Sequence, residues 1–154
     1  MEKDKEITYE GQVIDSVETQ EGKLYLSTKR GFVYCLDGVE RKILWRFRAS
    51  EPLASPPYFG SEKIYFYGQD NILYCLDKEG KALWEKKFEE EITSGVGEFE
   101  NKICFGTEKG TLFALSADRG DELWHFQAGG AIRTTPVFTG NKIIFGGDSL
   151  GLVF

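Results

Sequence analysis

The chain has 154 residues, of which 41% are hydrophobic and 14% aromatic, and its formal net charge is −6. This length and composition predict one folded domain with a core and exclude a disordered chain. The acidic charge argues against nonspecific binding to nucleic acid or to an anionic membrane surface.

The amino terminus reads MEKDKEITYE and lacks the apolar stretch of a secretory signal peptide. No apolar run is long enough to span a membrane. The three cysteines, Cys35, Cys75 and Cys104, form no CxxC pair, and we expect buried, reduced thiols. These features predict a cytoplasmic protein, or an extracytoplasmic one if the sequence is part of a longer secreted protein.

A repeat of about 40 residues runs along the chain. Its three tryptophans, Trp45, Trp84 and Trp124, are 39 and 40 residues apart. Two further landmarks keep the same period. A lysine opens an apolar segment at Lys23, Lys63, Lys102 and Lys142, and a small polar residue precedes it at Asp15, Ser55, Ser94 and Thr134. Such self-similarity is typical of repeat architectures.

Each unit contains four short segments that we predict to be strands, separated by turn residues. In the second unit they are 53–59, 63–68, 71–77 and 82–88. A helix is the alternative for the last segment, because Trp84, Phe88 and Ile92 are spaced by four. The equivalent segments of the other units alternate instead, so a strand is favoured and FEEEI (88–92) is interpreted as a charged outer loop.

The second strand of each unit is apolar on both faces, as in Ile64-Tyr65-Phe66. Both faces of each sheet must therefore be covered. Four-stranded sheets stacked around an axis would do this, whereas no helical segment is available to cover a parallel sheet. We predict an all-β fold, a β-propeller of four-stranded antiparallel blades with three full repeats and a partial fourth. The blades are placed at about 12–48, 52–88, 91–127 and 131–154.

The segment GTLFALSADRGDELWHF (110–126) resembles the repeat of the pyrroloquinoline-quinone-type (PQQ-like) β-propellers. The resemblance implies that a tryptophan of each unit packs between blades, over a small residue and a turn peptide. The implied packing residues are Trp45, Trp84, Trp124, Cys35, Cys75, Ala114, Gly80 and Gly120, with Arg41 in place of glycine in the first unit. Non-enzymatic propellers of the outer-membrane-assembly type are the members most similar in character.

The fourth unit lacks its last strand, and residues 6–11 stand where such a strand would precede the first unit. Three alternatives follow: a part of a larger propeller, two copies that complete one ring, or a chain that closes alone as four blades. An open half-ring would expose apolar faces and an unpaired edge at 152–154. We therefore expect a protein partner or self-association through exposed blade edges.

The sequence offers little for catalysis. His125 is the only histidine and has no partners for a catalytic set. Acidic residues such as Asp37, Asp77 and Asp118 fall at turns and are interpreted as turn caps. The vicinal cysteine pair of quinoprotein dehydrogenases is absent. No cofactor is predicted; PQQ and Ca²⁺ belong only to the alternative function, a fragment of a quinone- and metal-dependent dehydrogenase.

We therefore predict a non-catalytic module for protein interaction, scaffolding or ligand sensing, without nucleic acid and without a membrane span. A ligand site, if present, is expected at the rim or in the channel of the propeller. The candidate residues there are Lys29, Arg30, Gln69, Asp70, Glu108, Lys109, Arg133 and Asp148.

Overall fold

The structure is a computed structural model that describes residues 8–18, 21–148 and 151–153. The described residues form fifteen strands in four antiparallel sheets and no helix. Blade 1 contains β1 (Val13–Glu18), β2 (Lys23–Thr28), β3 (Phe32–Asp37) and β4 (Lys42–Arg48). Blade 2 contains β5 (Tyr58–Phe59), β6 (Lys63–Tyr67), β7 (Ile72–Asp77) and β8 (Ala82–Lys87). Blade 3 contains β9 (Gly97–Phe99), β10 (Lys102–Gly106), β11 (Thr111–Ser116) and β12 (Glu122–Gln127). Blade 4 contains β13 (Val137–Thr139), β14 (Lys142–Gly146) and β15 (Gly151–Val153).

The propeller prediction is confirmed, because the strands of each blade are paired in chain order and the blades pack face to face. One apolar cluster joins blades 1 and 2, for example through Val33 and Leu76, and a second joins blades 2 and 3 through Leu73 and Phe105. A third joins blades 3 and 4 and includes Phe145. The central strands of blades 2 and 3 are therefore buried on both faces, which explains their lack of polar alternation.

A β-bulge recurs between the third and fourth strands of blades 1, 2 and 3. The register shifts directly after the pairs Cys35–Trp45, Cys75–Trp84 and Ala114–Trp124. The extra residue is the leucine that precedes each tryptophan, and all three leucines are exposed. Because a bulge re-aims the side chains beside it, the bulge sets the direction in which the tryptophan projects.

The first strand of blades 2, 3 and 4 is shorter than predicted. The segment 53–59 is a single bridge, Leu53 to Gly68, followed after a break by the two residues of β5. Pro56 and Pro57 lie in the break and cannot donate a backbone hydrogen bond. Blades 3 and 4 repeat this pattern, so the prediction of one continuous first strand was wrong for these blades.

Residues 8–11 are not in a strand. The backbone N–H of Glu10 donates to the hydroxyl of Tyr34, just as the N–H of Ser50 donates to the hydroxyl of Tyr74 in the next blade. In both pairs the two residues are 24 positions apart, so Glu10 lies in the segment that leads into blade 1 and not in the predicted strand over 6–11. Residues 6 and 7 of that strand lie outside the described residues, and the closing role of this segment stays a prediction.

Blade 4 leaves one apolar face open. Tyr25, Tyr65 and Cys104 occupy equivalent positions in the second strands of blades 1 to 3, and each is at most 2% exposed. Their equivalent in blade 4, Ile144, is 44% exposed, and the neighbouring Val137 is 57% exposed. The described residues therefore do not close the ring at this face, contrary to the alternative of a chain that closes alone as four blades.

Candidate functional site

Two of the tryptophans make the same contact with the blade that follows. The indole N–H of Trp45 donates to the carbonyl of Lys78 at 2.9 Å, and that of Trp84 donates to the carbonyl of Ala117 at 2.9 Å. The donor and the acceptor are 33 residues apart in both cases. An indole that buries its ring and satisfies its only donor in this way joins adjacent blades.

A glycine lies under each of these two rings. A Cβ added at Gly80 would be 2.4 Å from the ring of Trp45, and one at Gly120 would be 2.8 Å from the ring of Trp84. Both glycines also have a positive φ, of 82° and 72°. Arg41 occupies the equivalent place in blade 1 with a φ of 54°. One repeat before Trp45 the sequence has Lys5, not tryptophan.

The residues opposite the tryptophans are small and fully buried. Cys35, Cys75 and Ala114 each pair across the sheet with a tryptophan and have no exposed surface. Burial raises the pKa of the Cys75 thiol to about 12 and raises that of Cys35. Such thiols are held neutral and inert, as expected for structural cysteines.

All the candidate rim residues except Arg133 lie in the turns between the second and third strands. Four of them use their backbone N–H to bond a connector carbonyl 17 residues earlier, at 2.9 or 3.0 Å. These pairs are Lys29–Gln12, Gln69–Pro52, Glu108–Glu91 and Asp148–Ala131. This repeated backbone hydrogen bond holds the rim turn of each blade to the connector before it. The bond has a structural role that does not depend on the side chain.

Arg133 brings three of the candidate residues together. One side of its guanidinium donates to Asp148 at 2.7 Å, and the other donates to both carboxylate oxygens of Glu108 at 2.6 and 2.9 Å. The hydrogen bond to Asp148 is the largest cause of the raised pKa of Arg133. Arg133 precedes β13, and its side chain joins the rim turns of blades 3 and 4.

The other rim candidates are not part of this cluster. Arg30 packs against Gly11, and the carbonyl of Lys109 accepts a hydrogen bond from Gln127. The carboxylate of Asp70 accepts a hydrogen bond from Ser50 at 2.8 Å. Lys29 and Gln69 share the wall of a groove of about 550 Å³ between blades 1 and 2. The predicted rim set therefore divides into separate local contacts, with one charged cluster around Arg133.

The acidic turn residues differ in role. The carboxylate of Asp37 accepts hydrogen bonds from the backbone N–H groups of Val39 and Glu40. The carboxylate of Asp77 accepts hydrogen bonds from two backbone N–H groups of its own turn. These bonds confirm the predicted caps at both residues. Asp118 does not cap its turn as predicted. Its carboxylate accepts from Lys63 of blade 2 at 2.7 Å, and this hydrogen bond is the largest cause of its lowered pKa.

The described residues hold no group of three or more histidine, cysteine or acidic side chains placed to bind a metal ion. His125 lies on the outer strand of blade 3, where its Nδ1 is 2.6 Å from the carboxylate of Glu122. Within the described ranges, no helix is long and apolar enough to cross a membrane.

The open face of blade 4 was not predicted as a set of residues. Its members are Val137 and Ile144. Ile144 resembles an ordinary core position in sequence because its equivalents in blades 1 to 3 are buried, so no local sequence signal marks it.

The family model described as outer membrane protein assembly factor BamB matches residues 9–87 and 69–149, most of the chain. The chain belongs to this family. The match confirms the PQQ-like propeller that the resemblance implied. BamB from Nitrosomonas eutropha is 26% identical over 133 residues, which cover 86% of this chain and 31% of that protein. The chain therefore spans about a third of the length of this BamB relative.

Two further proteins are similar over part of their length. The crystal structure of BamB from Moraxella catarrhalis superposes with a TM-score of 0.72 at 15% identity, covering 86% of this chain and 46% of that one. The quinoprotein alcohol dehydrogenase PedH of Pseudomonas putida is 34% identical over 68 residues, 43% of this chain and 11% of that protein. The expected cytoplasmic setting receives no support from the BamB relatives, which are named for the outer membrane.

Proposed function

We propose that the chain is a non-catalytic propeller module that binds another protein surface through the open face of its fourth blade. The observation that carries the proposal is the exposure of Ile144, at a position whose equivalents in blades 1 to 3 are buried. An apolar sheet face of this kind is stabilised by a covering protein surface. The tryptophan contacts between the other blades serve, in this proposal, to hold the module rigid.

The family supports the same function. The relatives are named as assembly factors, a role that does not require chemistry on a substrate. We extend the setting of these proteins to this chain and propose that it works outside the cytoplasm. The cysteines are compatible with this setting. Cys35, Cys75 and Cys104 are free and fully buried, so oxidants in that compartment would have little access to the thiols.

Site-specific photo-crosslinking tests the proposal. A photoreactive phenylalanine derivative is placed at Val137, on the open face, and in a separate variant at Val39, which is 85% exposed in a turn of blade 1. In the source cell, the variant at position 137 is expected to give a discrete crosslinked protein product, and the control at position 39 is not. Equal yields from both positions, or none from position 137, would overturn the proposal.

The similarity to PedH keeps a quinoprotein dehydrogenase fragment as the second candidate function. The described residues fit it poorly, because the cysteines lie singly on separate strands and no acidic group is placed for Ca²⁺. Adding PQQ and Ca²⁺ to the purified chain is expected to leave its melting temperature unchanged. A saturable rise in melting temperature that is lost on chelation would favour the dehydrogenase instead.

A further inference from the structure

The ion-pair cluster around Arg133 has a counterpart between blades 1 and 2. In the Arg133 cluster, the guanidinium lies between the carboxylates of Glu108 and Asp148, on the rim turns of blades 3 and 4. The repeat gives each of these three residues an equivalent two repeats earlier in the chain. The rim turns of all four blades are held by the same backbone hydrogen bond to their connectors. The two sites therefore share one backbone frame and differ in their side chains.

The side chains between blades 1 and 2 reverse the charge of this site. Ala54 stands in place of the arginine, and Lys29 and Gln69 stand in place of the two acids. The methyl group of Ala54 is too short to reach between the rim turns, and all three residues line a groove of about 550 Å³. This volume is in the range of sites for small ligands. The groove thus lies where a guanidinium lies in the Arg133 cluster, with a base in place of an acid on its wall.

The polar groups on the wall of the groove are available to a ligand. In the part of the chain that the structure describes, neither the ammonium of Lys29 nor the carboxamide of Gln69 has a hydrogen-bond partner, and both residues are exposed. The copy at blades 2 and 3 differs. Thr93 replaces the arginine there, and its hydroxyl donates to the carbonyl of Ile132 at 2.7 Å.

We propose that the groove between blades 1 and 2 binds a carboxylate that carries a short aliphatic chain. The ammonium of Lys29 and the carboxamide N–H of Gln69 donate to the carboxylate oxygens. The aliphatic chain packs on the apolar part of the lining, which includes Ile14, Pro52 and Pro56. The proposal goes beyond the interaction at the open face of blade 4 and does not depend on it.

The charges around the groove favour a carboxylate over a cationic or neutral group. Arg30 follows Lys29 in the same turn, so two positive charges lie at this part of the rim although the net charge of the chain is −6. An ammonium and an amide donor on one groove match an anionic acceptor with two oxygens. A cation would be repelled by Lys29, and a neutral ligand would leave the ammonium without a counter-charge.

NMR titration of the full chain tests the proposal. Two sources supply this chemistry, a free organic acid and the terminal residue of a peptide chain, and the probes are hexanoate for the first and N-acetyl-leucine for the second. We expect saturable shifts of the backbone amide signals of Lys29, Ala54 and Gln69, with a dissociation constant of about 1 mM for ligands of this size. The probe that binds more tightly identifies the source.

The Arg133 cluster is an internal control in the same spectra. The amide signals of Glu108, Arg133 and Asp148 should not shift, because a guanidinium already occupies the equivalent space. Hexanamide and N-acetyl-leucinamide lack the carboxylate and should bind at least fivefold more weakly than the acids. Equal shifts at both sites, or equal binding of acid and amide, would overturn the proposal.

Substitutions at Lys29 test the role of its charge. Lys29→Gln should weaken the binding of hexanoate at least fivefold. The matched control Lys109→Gln removes an exposed lysine from the rim turn of blade 3 and should leave binding unchanged. Lys29→Glu restores the acid of the Arg133 cluster, so this variant should bind ethylguanidinium in place of hexanoate.

The amide spectrum of each variant also shows whether it is folded, so loss of binding is not confused with loss of structure. Absence of saturation by both acids in the unmodified chain would overturn the proposal. A folded Lys29→Glu variant that still prefers hexanoate to ethylguanidinium would contradict it as well.

Discussion

At the scale of single residues, Gly80 and Gly120 carry two constraints at once. Each adopts a left-handed backbone conformation and each lies against an indole ring of the preceding blade. A side chain at either position would strain the backbone and displace the tryptophan, which satisfies its N–H on the same turn. These small contacts therefore govern how firmly adjacent blades are joined.

Gly120→Ala is expected to lower the free energy of unfolding by about 3 kcal/mol, the sum of left-handed strain and overpacking against Trp84. Gly140→Ala is the matched control, because Gly140 also has a positive φ, of 56°, but a Cβ there meets nothing within 4 Å. It should cost only about 1 kcal/mol. Urea denaturation of both variants measures the difference, and equal costs would show that the ring contact contributes nothing.

The three thiols should resist modification in the folded chain. Cys75 and Cys104 have pKa values raised to about 12 by burial, and the pKa of Cys35 is also raised, so little thiolate forms at about pH 8. A chromogenic disulfide reagent should titrate no thiol in native protein and three in urea. Rapid reaction of any thiol in the native state would contradict the structural role given to these cysteines.

At the scale of strands, the break in the first strand is compensated by side-chain hydroxyls. The backbone N–H of Gly106 donates to the hydroxyl of Ser94 at 2.7 Å, and that of Gly146 donates to Thr134 at 2.6 Å. These hydroxyls replace the carbonyl that a continuous strand would offer to the second strand. The small polar residue at this place in blades 3 and 4 thus has a structural cause.

Ser94→Ala should leave the buried N–H of Gly106 without its acceptor and lower the free energy of unfolding by about 1–3 kcal/mol. Ser61→Ala, at an exposed turn, is the control and should change stability by less than about 0.5 kcal/mol. Chemical denaturation compares the two. A loss at Ser94 no larger than that at Ser61 would mean that water replaces the hydroxyl.

Blades 2 and 3 are also joined by Lys63 and Asp118, and this contact depends on pH. The folded state lowers the pKa of Asp118 below its ordinary value of 3.8. The contribution is therefore present above that value and is lost as the pH falls through the lower pKa of the folded state. We expect Asp118→Asn to flatten the fall in the urea midpoint between about pH 5 and pH 3. An unchanged slope would show that the contact is screened by solvent.

The repeat in the sequence predicted the second, third and fourth strands of blades 1 to 3 well, because their apolar and aromatic residues recur at the same places in each unit. The first strand was harder to predict, since prolines and side-chain hydroxyls replace strand pairing there. The bulge before each tryptophan was not visible, because a leucine at the extra position resembles part of the strand. The contact of Arg133 with Glu108 joins residues 25 apart, and no spacing rule anticipates it.

At the scale of the whole molecule, the blades form a stack in which the outward face of blade 4 is uncovered among the described residues. Local pattern could not show this, because Ile144 resembles its buried equivalents in sequence. Only its exposure in the structure located the face. The proposed protein interaction follows from that exposure and from membership of the BamB family.

Cysteine labelling of the open face tests the central claim most directly. Because the natural thiols are buried, Ile144→Cys and the turn control Val39→Cys each add one reactive thiol. In dilute purified chain, a maleimide should label positions 144 and 39 at similar rates. In the source cell, we predict that labelling at position 144 falls at least tenfold relative to position 39, because a partner covers the face. An unchanged ratio would contradict the proposed interaction.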